Sequence, residues 1–107
     1  MNTKEQAALF KVLADPTRLE LLKVLSGQQE PHALCVNGLA RRLGVTQPAV
    51  SQHLRILKSA GLVKDERRGY RVHYFLDREA LEHARELLYT VLNFGTTSAS
   101  EKEMTAP

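Results

Sequence analysis

Apolar residues recur along this chain first with the period of a helix, then briefly with that of a strand, then again with that of a helix. Leu9, Phe10 and Leu13 stand at helical spacing and predict a helix over 4–14. Thr3-Lys4-Glu5-Gln6 in front of them matches a capping box, with Thr3 as the cap and Gln6 reaching back. Asp15-Pro16 restarts the chain, because Asp is a good N-cap and Pro is tolerated at the first helical position. Leu19, Leu21, Leu22 and Leu25 then predict a helix over 16–26, stopped by Gly27. Residues 27–35 read as a loop with room for a short extended stretch. Leu39, Ala40 and Leu43 predict a short helix over 36–43, ended by Gly44. Thr46 caps a further helix over 47–59, whose buried stripe is Val50, Leu54 and Leu57. Val45 and Val50 are placed to close a hydrophobic staple around that cap, and Ala60-Gly61 ends the helix.

From Leu62 the period falls to two. Leu62–Arg67 reads as a strand and Arg68-Gly69 as a turn. Arg71–Leu76 reads as a second strand with Val72, Tyr74 and Leu76 on one face. Asp77 caps a last helix, where Leu81, Ala84, Leu88 and Val91 form a stripe that Leu87 and Leu92 widen, and Gly95 ends it. The small polar run over 96–107 is expected to be a disordered tail. The expected fold is therefore mainly α with a small β-hairpin: four helices, two strands and a fifth helix in a single domain over 1–95.

Composition narrows the classes of function. Hydrophobic residues make up 43% and charged residues 25%, values of a globular chain and not of a disordered one. No run approaches the ~18 apolar residues that span a bilayer, so no membrane role is expected. The amphipathic pattern starts without a signal-peptide pattern before it, which places the expected location in the cytoplasm. Cys35 is the single cysteine, so no disulfide forms within one chain. Tryptophan is absent and aromatics are 6%, too few for a platform that stacks single-stranded bases. Net charge is +3, but residues 37–76 hold eight basic side chains against Asp65 and Glu66. The segments on either side are neutral and acidic in turn. Such asymmetry fits either a polyanion partner or an unevenly charged solvated surface.

The helices over 36–43 and 47–59, joined at Gly44, have the makings of a helix-turn-helix. Ala40 is small enough for close approach, Gly44 tolerates the left-handed backbone of the turn, and Val45 plugs the junction. In this motif the second helix lies in the DNA major groove. Its outward face carries Pro48, Ser51, Gln52 and Arg55, with Gln47 at its start. Gln pairs with adenine, Arg with guanine, and Ser with either bases or phosphates. An ordinary solvent-facing helix would include glutamates, whereas 37–64 contains no acidic residue. The hairpin that follows makes this a winged helix-turn-helix. Arg67, Arg68 and Arg71 surround its tip, within reach of backbone phosphates or a minor groove. Asp65 and Glu66 dilute that cluster, and a plain edge hairpin kept soluble by arginines is the other reading.

Three segments together resemble the ArsR/SmtB family of bacterial winged-helix repressors: Leu13-Ala14-Asp15-Pro16-Thr17-Arg18-Leu19, the run from Gly44 to Leu54, and Ala60-Gly61-Leu62-Val63. The resemblance covers roughly residues 5–92. It implies a homodimer joined through the first and last helices, and repression from a palindromic double-stranded operator, relieved by a signal. It also implies DNA contacts at Thr46, Gln47, Ser51, Gln52 and His53. The residues themselves argue for self-association. Leu9, Phe10 and Leu13 on the first helix, and Leu81, Ala84, Leu88 and Val91 on the last, exceed what so few elements can cover. Packing within one subunit is the competing account.

The metal sites of the family are broken here. Where arsenic- and cadmium-type members carry Cys-Val-Cys-Asp-Leu, this chain reads Cys35-Val36-Asn37-Gly38-Leu39. On the last helix, the zinc-type ligand positions fall on Ala80, Val91 and Phe94. His32 and Cys35 are residual candidates for a non-classical metal site, and His83 beside Glu79, Glu82 and Glu86 reads as a solvated helix residue. The expectation is no metal and no cofactor. The signal is then a small organic effector lined by Phe10, Leu13, Leu22, Leu88 and Phe94, a modification at Cys35, or nothing. No Gly-rich phosphate loop and no Ser/His/Asp or Cys/His signature is present, so an enzyme is not expected. A protein-interaction module using the helix-turn-helix as scaffold is the alternative that the acid-free stretch argues against.

Overall fold

The computed structural model describes residues 2–28 and 34–93. Its elements are α1 (Thr3–Leu13), α2 (Pro16–Gly27), α3 (Val36–Leu43), α4 (Gln47–Ser59), β1 (Val63–Arg68), β2 (Arg71–Leu76) and α5 (Arg78–Leu92). The anticipated order of four helices, a hairpin and a fifth helix is the observed one. His32, Phe94, Gly95 and the tail expected over 96–107 lie outside the described residues.

Helix starts follow side-chain capping. Asp15, Thr46 and Asp77 each accept a hydrogen bond from the backbone N–H three residues on, as anticipated. At the first helix the cap is Asn2 and not Thr3: Asn2 Oδ1 accepts from the Glu5 amide at 2.8 Å, and Thr3 is already helical. Asn and Thr are both good caps, and the earlier one lengthens the helix. Gly27 is likewise the last residue of α2 and not its stop, with Gln28 as the C-cap.

The two helices of the helix-turn-helix end in the same way. At α3 the Gly44 amide donates to Arg41 O at 3.3 Å and the Val45 amide to Ala40 O at 3.1 Å. At α4 the Gly61 amide donates to Lys58 O at 2.9 Å and the Leu62 amide to Leu57 O at 3.0 Å. Both are Schellman motifs, in which the residue after the cap adopts a left-handed backbone. Gly44 and Gly61 do so, with φ of 69° and 78°.

β1 and β2 pair antiparallel with Val63 opposite Leu76 and Arg68 opposite Arg71. The strand begins one residue later than expected and keeps Arg68, so Gly69-Tyr70 forms the turn. A glycine with φ of 65° at its first position suits a two-residue hairpin. β2 is not covered on one face alone, since Val72, His73, Tyr74 and Phe75 are all half-buried. The second face is covered because Cys35 bridges to His73 and the Arg68 guanidinium lies 5.1 Å from the Phe75 ring centroid. Gln28 braces this region: its side-chain amide donates to Tyr74 O, and its Oε1 accepts from the Leu34 amide at 2.9 Å.

The core gathers Leu9 of α1, Leu21 and Leu25 of α2, Leu39 and Ala40 of α3, and Val50, Leu54 and Leu57 of α4. Leu62, Val63, Leu76 and Ala84 close it from the hairpin and α5. Fully burying one leucine contributes about 1.5–3 kcal/mol, and the leucines at 21, 39, 54 and 57 show no exposed surface. α2, α3 and β1 all pack against α4, whose opposite face is left open.

Candidate nucleic-acid interface

Three α4 positions, Val50, Leu54 and Leu57, are sealed in the core. That fixes the helix's rotation and turns Gln47, Pro48, Gln52 and Arg55 outward, all exposed, with Ser51 half-buried between them. The Thr46 hydroxyl is committed to capping and accepts from the Ala49 amide at 3.3 Å. Gln47 Nε2 donates to Ser51 Oγ at 3.3 Å, and Arg55 Nη1 to Gln52 Oε1 at 3.4 Å. These one-turn pairs hold the polar side chains in two short rows on the outward face. Gln47, Gln52 and Arg55 stay exposed to solvent beside these bonds.

His53 stands apart from this group. Its side chain is 21% exposed and lies on the inward edge of α4. Arg18 Nη1 donates to its Nδ1 at 3.2 Å, and Asp15 Oδ1 is 3.9 Å from the same nitrogen. Arg18 also donates from Nε to Val12 O at the end of α1. The Arg18 amide, donating to the Asp15 carboxylate, holds that carboxyl below its usual range, and the Arg18 charge acts in the same direction. One joint therefore ties α1, α2 and α4 together. Arg18 was not singled out in the sequence, although it lies inside the segment that carries the family resemblance.

The acidic residues beside the wing are neutralised locally. Lys58 Nζ donates to Asp65 Oδ2 at 2.8 Å, which raises the lysine's pKa, lowers the carboxyl's, and clips the last turn of α4 to β1. Glu66 Oε1 lies 3.3 Å from Arg68 Nε. Arg68 is thus occupied, by Glu66 on one side and the Phe75 ring on the other. Arg67 and Arg71 are exposed, as are Arg41 and Arg42 in the last turn of α3. Tyr70 at the wing tip is 87% exposed, with its ring centroid 5.9 Å from the Arg71 guanidinium. Tyr70 carries no pattern that marks it, and Arg41 was marked only as part of the basic segment; the folded hairpin sets Tyr70 and Arg71 across a cleft from Arg41.

Between α3 and the wing lies a cleft of about 410 Å³, lined by Cys35, Arg41, Gln47, Tyr70 and Arg71 among others. The Cys35 thiol makes no capping hydrogen bond to α3. The nearby Gly38 amide still draws its pKa below the ordinary value, aided by the Asn37 amide and the Arg71 charge. Among the described residues no three His, Cys, Asp or Glu side chains gather in a way that would hold a metal ion. Nor is any described helix long and apolar enough to cross a membrane.

The profile of the family described as "Bacterial regulatory protein, arsR family" matches residues 15–65. The chain is 41% identical over 93 residues to the "Transcriptional repressor SmtB homolog" of Synechocystis, covering 79% of this chain and 67% of that protein. It is 37% identical over 87 residues to the "Cadmium resistance transcriptional regulatory protein CadC homolog" of Staphylococcus aureus, covering 81% and 67%. Its fold matches the solution structure of a homodimeric winged helix-turn-helix DNA-binding domain from Mycobacterium bovis, a possible ArsR-family regulator. There the TM-score is 0.66 at 28% identity, over 85% of this chain and 81% of that one.

Proposed function

The chain belongs to the ArsR family of bacterial regulatory proteins, and on that premise we propose that it represses transcription as a homodimer on a palindromic duplex operator. The observation that carries this reading is the outward face of α4: Gln47, Ser51, Gln52 and Arg55 sit on a helix whose other side is locked in the core. The wing adds sequence-independent phosphate contacts, for which Arg67 and Arg71 are better placed than the occupied Arg68. The protein acts in the cytoplasm, where its DNA is, and needs no catalytic group or cofactor for this task.

Self-association is supported by what the single chain leaves uncovered. Along α5, Leu88, Val91 and Leu92 are 45%, 44% and 53% exposed, and Tyr89 is 67% exposed. Leu9 and Ala84, two expected seam residues, are instead taken up by the chain's own core. Phe10, Leu13 and Leu81 are half-buried and flank the seam. A two-fold protein presents two α4 helices, and these call for two inverted half-sites.

The inducing signal in this proposal is not a classical metal. Asn37 stands where a second thiolate would be needed, and Ala80 and Val91 stand at the last-helix ligand positions. The proposed signal is a small organic molecule; of the lining expected for it, Phe10, Leu13, Leu22 and Leu88 do not border the groove of about 650 Å³ between α1 and α4, which Leu9, Val12 and Ile56 line instead. Such a molecule acts by binding the DNA-incompetent state more tightly than the competent one. The metal-responsive alternative rests on Cys35, whose thiol is held low, and on the name of the cadmium-resistance relative.

Selection of duplexes from a random library, followed by fluorescence polarisation and light scattering, tests both parts. The expected result is an inverted repeat bound by two chains, with affinity unmoved by zinc, cadmium, arsenite or a chelator. An asymmetric site bound by one chain overturns the dimer. A metal-driven loss of binding that Cys35→Ser abolishes overturns the non-metal signal.

A further inference from the structure

We propose that the cleft between α3, the start of α4 and the wing tip seats one sugar–phosphate unit of the DNA backbone, held by Arg41 and Arg71. This rests on the DNA-binding reading above and gives it a specific anchor outside the base-reading face.

The charges point that way. Arg18, Lys23, Lys58, Arg68 and Arg85 are all paired with carboxylates. Among the described residues Arg41 and Arg71 make no ion pair, yet both line this one cleft, and no described carboxylate lines it with them. Two guanidinium groups facing a common opening repel each other unless an anion joins them, and their forked donors match phosphate oxygens. The Tyr70 ring beside Arg71 limits that side chain's freedom without neutralising it.

The location fits the backbone and not a free anion. One wall includes Gln47, the first residue of the reading helix, and the other includes Tyr70 and Arg71 of the wing. A duplex with α4 in its major groove and the wing alongside carries its backbone between those two walls. The volume of about 410 Å³ lies in the range of small-molecule sites, ample for a sugar with its phosphate. Cys35 also lines the cleft, so an occupant covers the single thiol of the chain.

The test uses a duplex selected for binding to the wild-type chain. Arg41→Ala and Arg71→Ala are each expected to lower affinity roughly tenfold for selected and unrelated duplexes alike, and to flatten the salt slope by about one. Arg41→Lys keeps the charge and recovers most of the slope. Arg85→Ala, on α5 and paired with Glu82, changes neither. Bound duplex is expected to slow iodoacetamide alkylation of Cys35 several-fold in the wild type. If the duplex binds with full affinity while Cys35 alkylates at its free rate and Arg41→Ala keeps the wild-type slope, the seat is wrong and the DNA reading stands. If inorganic phosphate at matched ionic strength protects Cys35 equally well, the cleft is a free-anion site and the proposal falls. If the wild type binds no duplex at all, both readings fall.

Discussion

Arg18 divides its guanidinium between the Val12 carbonyl of α1 and the imidazole of His53 on α4, with Asp15 beside it. Its side chain is 14% exposed, so removing it strands partners that water reaches poorly. Hydrogen bonds to charged groups contribute about 1.5–3 kcal/mol, and Arg18→Ala is expected to lose about that much stability in urea denaturation. DNA affinity should fall as well, although no DNA contact is assigned to Arg18, because α4 loses its lateral tether. Unchanged affinity in a folded Arg18→Ala variant would show that the tether does not aim the helix. Asp15 in the same joint gives a pH dependence with a definite sign. Its carboxyl is held below 3.8 in the folded chain, chiefly by the Arg18 amide. The stabilisation is therefore present above that unfolded value and is lost as pH falls through the lower folded one. Thermal melts across acidic pH should show Asp15→Asn losing less stability than the wild type over that window.

At the scale of elements, α3 and α4 were legible to the residue from the chain alone. Their signals are local: Thr46 caps, Pro48 follows, and Gly44 and Gly61 take the backbone that ends each helix. What was hidden depends on contacts far apart in sequence. His53 entered the expected DNA contacts through the family resemblance alone, and only the partner 35 residues away shows that its ring meets Arg18 at the inner edge of α4. The hairpin looked one-sided because nothing near Phe75 announces that Arg68 will cover it or that Cys35 will reach His73. Arg68 read as a free wing arginine for the same reason. The element-scale prediction concerns α4. Gln47→Ala and Ser51→Ala should each cost about 1–3 kcal/mol on the selected duplex and broaden base preference, with little change in salt slope. Polarisation against single-base variants of the duplex measures this, and a uniform loss across all variants would move these residues from reading bases to holding phosphates.

For the whole molecule, the decisive surface is the apolar edge of α5. Leu88 is 45% exposed in the isolated chain, so a charge placed there costs the monomer little. In a two-fold seam the same charge is desolvated without a partner, which costs several kcal/mol. Leu88→Glu should keep the helical circular dichroism of the wild type, run as a monomer in light scattering, and bind the inverted repeat far more weakly. A variant that stays dimeric would move the seam elsewhere, toward Phe10 and Leu13 on α1. Net charge separates the faces at this scale too. The strongly basic segment over 37–76 supplies α3, α4 and the wing, while the segment from 77 onward, which supplies α5, is acidic overall. In the proposed dimer a duplex is thereby drawn to one side and kept off the seam.

The base of the hairpin is closed by its own first and last neighbours: the Asp77 amide donates to Leu62 O at 2.9 Å, and Val63 lies opposite Leu76. Above that foot the arm stays tied to the body by the Cys35–His73 bridge and by the Gln28 side chain on Tyr74 O, and only the pairs Arg67–Val72 and Arg68–Arg71 extend past those ties. Taking Arg67-Arg68 and Arg71-Val72 out together leaves Glu66 and His73 flanking Gly69-Tyr70, and preserves the alternation of faces below the cut, because two residues are lost on each side. Taking one residue from one side alone would turn that strand inside out. Matched pairs thus keep the register below the cut, but trimming these two removes the Arg68 cover from Phe75 and takes Arg71 from the cleft beside α3, so the reach of the arm is coupled to its hold on a duplex.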